Sequence, residues 1–178
     1  ALVHAIKNAA HEEACLQNDA VFRLLVRVFN TFTREAIKKK ENAPVYNVLY
    51  NYKTLIRRLL TDRPELVPEL IGYLSFYAEF ARSQGMVFIY ELISYELAEL
   101  AEVAYAQRSE NAGRLLDAML ALEGVARHAG LVKSRLIMAA CLAEQGNEAA
   151  LARVMASLQG VPAELLQTAR ADILKTEE

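Results

Sequence analysis

The sequence predicts an all-α fold, an irregular stack of antiparallel helical hairpins, and three observations support this. First, apolar residues recur at i, i+3, i+4 and i+7 from Val21 to Leu174, the period of an amphipathic helix. Second, Pro and Gly fall mostly between such segments, where helices begin and end. Third, no segment alternates apolar and polar residues for long enough to predict a strand. Eight or nine helices joined by short turns pack most simply as antiparallel hairpins.

Polar caps and prolines delimit four helices in the first half of the chain. A side-chain oxygen of Asn18 or Asp19 can cap the second of them, and the lysines at its end suit the negative pole of the helix dipole. Pro44 and Pro68 each suit the first turn of a helix, where a missing N–H costs nothing. The expected ranges are about Leu2 to Leu16, Asp19 to Lys40, Asn42 to Thr61 and Pro68 to Gly85.

Five further helices are expected in the second half, with a loop or short turn from Gly124 to Gly130. Ser109 is the expected N-cap of the second of these five. Their approximate ranges are Met86 to Arg108, Ser109 to Leu122, Leu131 to Gln145, Glu148 to Leu158 and Pro162 to Thr176. The stretch from Ala140 to Leu158 resembles the turn region of a tetratricopeptide repeat. No 34-residue period recurs upstream, so we expect only a distant tetratricopeptide-like character at this end.

Composition and charge indicate one compact helical domain over residues 1–178. The chain is 54% hydrophobic with 7 Gly and 4 Pro, which excludes a disordered protein. Its net charge of −2 gives no global argument for binding nucleic acid, and no DNA partner is expected. Residues 1–90 carry 12 basic and 9 acidic side chains, whereas residues 91–178 carry 8 and 13. Any surface that binds anions is therefore expected in the first half.

The ends and the cysteines bear on the cellular environment. Cys15 and Cys141 are far apart and lack CxxC spacing, which favours a reducing cytoplasm without a structural disulfide. No signal peptide is visible, and no apolar run approaches the ~18 residues that span a bilayer. The chain starts with Ala1 instead of Met, which is typical of a piece excised from a longer protein or of a tag remnant.

The third helix carries the first candidate site. Its apolar side is a narrow arc, whereas the opposite side holds Tyr46, Tyr50, Lys53 and Arg57 without any acid on that side of the helix. Solvated faces usually mix Glu with Lys, and Tyr beside cations is typical of binding surfaces. We interpret these four residues as a partner-binding strip. The alternative is that neighbouring helices cover it.

The second helix carries an alternative site for anions. Its wide apolar side predicts a central position in the fold, and its narrow polar side holds Arg23, Arg27, Arg34 and Lys38 without an acid. Such a stripe could bind RNA phosphates or acidic lipid headgroups. A solvated face is the simpler interpretation, because the chain as a whole is acidic.

Glu96 lies within the apolar arc of the fifth helix, between Ile89 and Val103. A buried carboxylate must be paired or protonated. We expect a structural partner such as an Arg or a Tyr hydroxyl. The third hypothesis, an enzyme centred on Glu96, would need a second titratable group in the same pocket, and the sequence indicates none.

The sequence predicts neither a metal site nor a cofactor. The segment "HEEAC", with His11 and Cys15, differs from the zinc-protease pattern HExxH by its last residue. His4 lies on the same side of the first helix, but no distal third ligand is evident. There is no P-loop and no GxGxxG, and His128 has no visible Ser or Cys partner. We therefore predict a protein without catalytic residues.

Residues 45–160 resemble the soluble helical region of a group of bacterial predicted membrane proteins of unknown function. The resemblance rests on "VYNVLYNYKTLIRRLL" at 45–60, on "RPEL", and on the Tyr-rich stretch from Tyr73 to Leu100. It implies a cytoplasmic helical domain attached to membrane segments outside this chain, and it carries over no active-site residue. The favoured function is a non-enzymatic interaction or scaffold domain whose partner is another protein or a second copy.

Overall fold

The computed structural model describes residues 17–174, and all the regular structure within that range is helical. The all-α prediction is thus confirmed, and a stack of helical hairpins is consistent with it. The helices are α1 (Asp19–Lys38), α2 (Asn42–Asp62), α3 (Val67–Ser83), α4 (Val87–Ala106), α5 (Ala112–Leu120), α6 (Ala129–Glu144), α7 (Glu148–Ser157) and α8 (Ala163–Leu174). Short 3-10 turns precede α3 and α6. The helix expected from Leu2 to Leu16 lies outside the described residues.

Local caps explain where several helices begin. The Asn18 side chain accepts hydrogen bonds from the backbone N–H groups of Ala20 and Val21, and Asn147 caps α7 in the same way. The expectation that Ser109 is an N-cap is wrong. Its hydroxyl accepts a 3.3 Å hydrogen bond from the Asn111 N–H instead, and α5 begins only at Ala112. The Ser109 side chain therefore closes the turn before the helix.

Helix α4 is the centre of the fold, since α2, α3, α5 and α6 all pack against it. Its buried residues lie on more than one side, from Ile89 to Ala104, because different neighbours cover different faces. The eight residues of the predicted apolar arc of α2 are all buried: Val45, Val48, Leu49, Tyr52, Leu55, Ile56, Leu59 and Leu60. One continuous core joins the helices from α1 to α7.

The expectation that the helix from Asp19 is central is wrong. Within residues 17–174, α1 packs mainly against α2 and α3. Only part of its wide apolar side is buried, and Leu24 keeps 60% of its surface exposed. A wide apolar side does not by itself place a helix at the centre of the fold, because the packing of the whole chain determines which helices cover it.

The C-terminal helices form a smaller layer around α6. A separate small apolar cluster joins α6 to α8, and its buried members are Val132, Leu158, Val161 and Ala169. The side chain of Arg135 is 2% exposed, and its guanidinium donates to the carbonyls of Leu120 and Leu122 at 3.2 and 3.0 Å. It thereby caps the end of α5. The distant tetratricopeptide-like character stays a prediction.

Candidate functional site: one aromatic surface and one basic groove

The predicted partner-binding strip is only partly exposed. Tyr46 and Tyr50 keep 46% and 51% of their surface accessible, and the Arg57 side chain keeps 44%. The Lys53 side chain, by contrast, keeps 14%. Its ammonium lies 5.8 Å from the centroid of the Tyr50 ring, within cation–π range. Lys53 is therefore largely buried, although it lies beside the exposed Tyr50 in the same strip.

The strip does not stay free of acids once the chain is folded, and this corrects the interpretation of it. The Lys53 ammonium lies 2.7 Å from Glu96 Oε2 and 2.6 Å from Glu99 Oε2, both on α4. Arg57 lies 3.7 Å from the other oxygen of Glu99. The acids that α2 lacks on this side are supplied by the neighbouring helix, so Lys53 is a structural ion-pair partner.

Glu96 is buried, as its position in the apolar arc predicts, with 5% of its surface exposed. Its partner is Lys53, however, and not the expected Arg or Tyr hydroxyl. Burial raises the pKa of Glu96 above its usual range, although the ammonium of Lys53 opposes this. The two carboxylates hold the Lys53 ammonium in its charged form and raise its pKa, against the effect of burial. The ion pair with Lys53 thus provides the partner that the buried carboxylate of Glu96 requires.

Helix α4 contributes aromatic residues that the sequence analysis missed. Phe88 and Tyr95 are 56% and 37% exposed. They are spaced by seven residues and so lie on one side of α4, together with Glu99 and Glu102. Glu99, on this same side, lies 2.6 Å from the Lys53 ammonium and 3.7 Å from Arg57, so this side adjoins the α2 strip. The exposed residues Tyr46, Tyr50, Arg57, Phe88 and Tyr95 together form what we call the α2–α4 surface.

The predicted basic stripe of α1 is exposed throughout, but its members differ in their partners. Lys38 pairs with Glu35 on its own helix at 2.7 Å, so the expectation of a side without acids is wrong there. Arg23, Arg27 and Arg34 take part in none of the ion pairs found between residues 17 and 174. These three arginines line one wall of a groove.

The groove lies between α1 and α3 and encloses about 790 Å³, a size typical of small-molecule sites. The α1 wall carries the three arginines together with Asn30 and Thr31. The α3 wall carries Glu69, Gly72, Tyr73 and Phe76, with Val26 and Tyr77 at the base. Arg34 lies over the Phe76 ring at 5.8 Å, which joins the two walls at one end. We call this feature the α1–α3 groove.

Buried tyrosines fix the polar floor of the groove. Asn30 Oδ1 accepts hydrogen bonds from the hydroxyl groups of Tyr52, at 2.6 Å, and of Tyr77. Burial raises the pKa of both phenols, so both remain protonated donors. Both hydroxyl groups therefore reach the same Asn30 oxygen from the buried side of the groove.

His4, His11 and Cys15, the residues considered for a metal site, lie outside the described residues. In the range 17–174, no group of three or more His, Cys, Asp or Glu side chains is arranged to hold a metal ion. None of the helices in that range combines the length and apolar character needed to cross a bilayer. Comparison of the chain with protein-family models, with curated proteins and with solved structures gave no match.

Proposed function

We propose that this chain is a non-enzymatic protein-interaction domain that contacts its partner through the α2–α4 surface. One observation carries the proposal: four large aromatic side chains (Tyr46, Tyr50, Phe88 and Tyr95) are 37–56% exposed on two adjacent helices. Exposed apolar residues grouped in this way mark interaction sites, and Tyr and Arg are enriched among the residues that dominate binding energy. Lys53 supports the surface from beneath.

A second copy of the chain fits this surface best. The surface carries a positive charge at Arg57, which is 44% exposed, and the exposed Glu102 lies beside it on the same side of α4 as Tyr95. An interface with twofold symmetry brings the same patch of both copies together, so an Arg of one copy can face a Glu of the other. The aromatic residues would then form the apolar centre and the charges the rim.

Sedimentation equilibrium tests this proposal. We expect the wild-type chain to dimerise between about 1 μM and about 1 mM, the range of weak protein complexes. Replacing Tyr46, Tyr50 and Phe88 by Ala should weaken the dimer at least about tenfold, as loss of central aromatic residues usually does. The matched control replaces Leu24, Met155 and Leu174, which are 51–65% exposed and lie outside the surface.

A wild-type chain that stays monomeric throughout this range would overturn the second copy as the partner. Equal weakening by both triple variants would show that the α2–α4 surface has no special role. If the chain is monomeric, cross-linked pull-downs from the source organism with the wild type and the surface variant would test a different protein as the partner.

We also infer a cytoplasmic location, with a tether to the membrane through segments outside this chain. The inference rests on the resemblance of residues 45–160 to the helical region of bacterial predicted membrane proteins, and on the absence of any bilayer-spanning helix between residues 17 and 174.

A further inference from the structure

The α1–α3 groove has a charge that its own surroundings do not neutralise. Among residues 17–174, the groove sets one carboxylate, Glu69, against its three arginines, and that carboxylate accepts a 3.2 Å hydrogen bond from the Tyr73 hydroxyl. Elsewhere in the described part of the chain, Lys53 and Arg63 each contact two acids. A concave site with an excess of guanidinium groups attracts anions, and guanidinium groups bind phosphate with two parallel hydrogen bonds.

The spacing of the arginines indicates an extended ligand with several phosphates. Arg23 and Arg27 are one helical turn apart, about 6 Å between their Cβ atoms. Arg34 lies about 10 Å farther along the helix axis, so the cations extend over about 16 Å. A single phosphate group cannot reach from Arg23 to Arg34. A polymer with a regularly charged backbone can.

The α3 wall supplies aromatic rings opposite the cations. Phe76 is 47% exposed, and the half-buried Tyr73 lies one turn before it. Bases of single-stranded nucleic acid stack on such rings while positive charges follow the backbone. Glu69 disfavours a purely anionic ligand, but its carboxylate can accept a hydrogen bond from a ribose 2′-hydroxyl, which RNA has and DNA lacks. A flat lipid surface would not use a recessed floor such as that formed by Asn30 and Tyr77.

We propose that the α1–α3 groove binds single-stranded RNA, with phosphates on Arg23, Arg27 and Arg34 and bases against Tyr73 and Phe76. The groove is formed by α1 and α3, whereas the α2–α4 surface is formed by α2 and α4, so the two sites are separate. The two sites can therefore be tested separately in the same protein.

The test is fluorescence anisotropy with a labelled, unstructured RNA of about ten nucleotides, on the full chain. With three phosphate contacts, the wild-type affinity should fall about 20-fold between 50 and 200 mM salt. Replacing the three arginines by Gln should weaken binding at least about tenfold and lower the salt slope by about 2. Phe76→Ala should weaken binding at least about fivefold without changing that slope. DNA of the same sequence should bind more weakly than RNA.

The matched control replaces Arg114, Arg127 and Arg170 by Gln. These arginines are exposed and lie outside the groove, so the control removes the same charge elsewhere. The control should keep the wild-type affinity. Absence of RNA binding at 50 mM salt, or equal losses in both triple variants, would overturn the proposal. So would binding to vesicles with a phosphatidylserine surface by a chain that does not bind RNA, because the occupant would then be a lipid.

Discussion

Lys53 and Arg27 are both cations on the polar side of an amphipathic helix, and the fold treats them in opposite ways. Lys53 is 14% exposed and lies within 2.7 Å of carboxylates from α4. Arg27 is exposed in the α1–α3 groove and pairs with no acid between residues 17 and 174. The difference lies in the neighbouring helix, because α4 presents Glu96 and Glu99 whereas α3 presents mainly aromatic residues. A cation's role is therefore decided by the helix packed against it.

The largest expected change in the unfolding free energy results from replacing Lys53. Lys53→Ala leaves the carboxylate of Glu96 buried without its cation, which costs about 3–5 kcal/mol of unfolding free energy. Urea denaturation would measure the loss. The control is Arg57→Ala, which removes a half-exposed cation 3.7 Å from Glu99 and should cost no more than about 0.5 kcal/mol. Similar losses in the two variants would mean that Lys53 is an ordinary surface cation.

A smaller effect should appear in the pH dependence of stability. Because burial raises the pKa of Glu96 in the folded chain, the folded state binds this proton more tightly than the unfolded state. Glu96 therefore makes its full contribution to the unfolding free energy below its ordinary pKa of 4.5. This contribution is lost as the pH rises through the raised pKa. Glu96→Gln removes this titration. The unfolding free energy of the wild type minus that of Glu96→Gln should therefore fall as the pH rises above about 4.5.

Denaturation of both proteins at several pH values would check this prediction. Glu99→Gln is the matched control, since it removes the same charge from a carboxylate that is 26% exposed. The unfolding free energy of the wild type minus that of Glu99→Gln should show no such fall, because both proteins retain Glu96. A difference between the wild type and Glu96→Gln that stays constant with pH would contradict the raised pKa.

The smallest expected change in the unfolding free energy results from replacing the arginines of the α1–α3 groove. Replacing Arg23, Arg27 and Arg34 by Gln should change the unfolding free energy by no more than about 0.5 kcal/mol per residue, because these exposed cations pair with no acid in the described part of the chain. Thermal denaturation would measure it. A large loss of stability would show that the arginines hold α1 in place, and the contrast with Lys53 would disappear.

The sequence was most informative where local chemistry decides the structure. Helix α2 begins at Asn42, as expected, and ends at Asp62, one residue beyond the expected Thr61 and two before Pro64, and its predicted apolar arc is buried in full. Three of the four cations in the predicted anion stripe line the groove. The bounds and the buried arc of α2 could be predicted because proline and helical period act within one segment, whereas anion binding by the stripe stays a prediction.

The rest depends on contacts between helices, which one-dimensional periodicity does not contain. The pairing of Lys53 with Glu96 joins residues 43 positions apart, and no pattern within α2 predicts it. The aromatic wall of the groove exists only because α3 packs beside α1. Phe88 and Tyr95 were missed because α4 buries several sides, so its exposed side gives no clear amphipathic signal.

Arg135 shows a third way in which this fold accommodates a cation. It is buried, contacts no carboxylate among residues 17–174, and binds the carbonyl groups at the end of α5, where the helix dipole is negative. The connection from α5 to α6 consequently works as a spacer of fixed length. An inserted residue there would pull Leu122 away from the guanidinium, whereas the turn at Gly146 reverses the chain without holding any buried charge. Attempts to lengthen or to cut this protein should therefore start at Gly146.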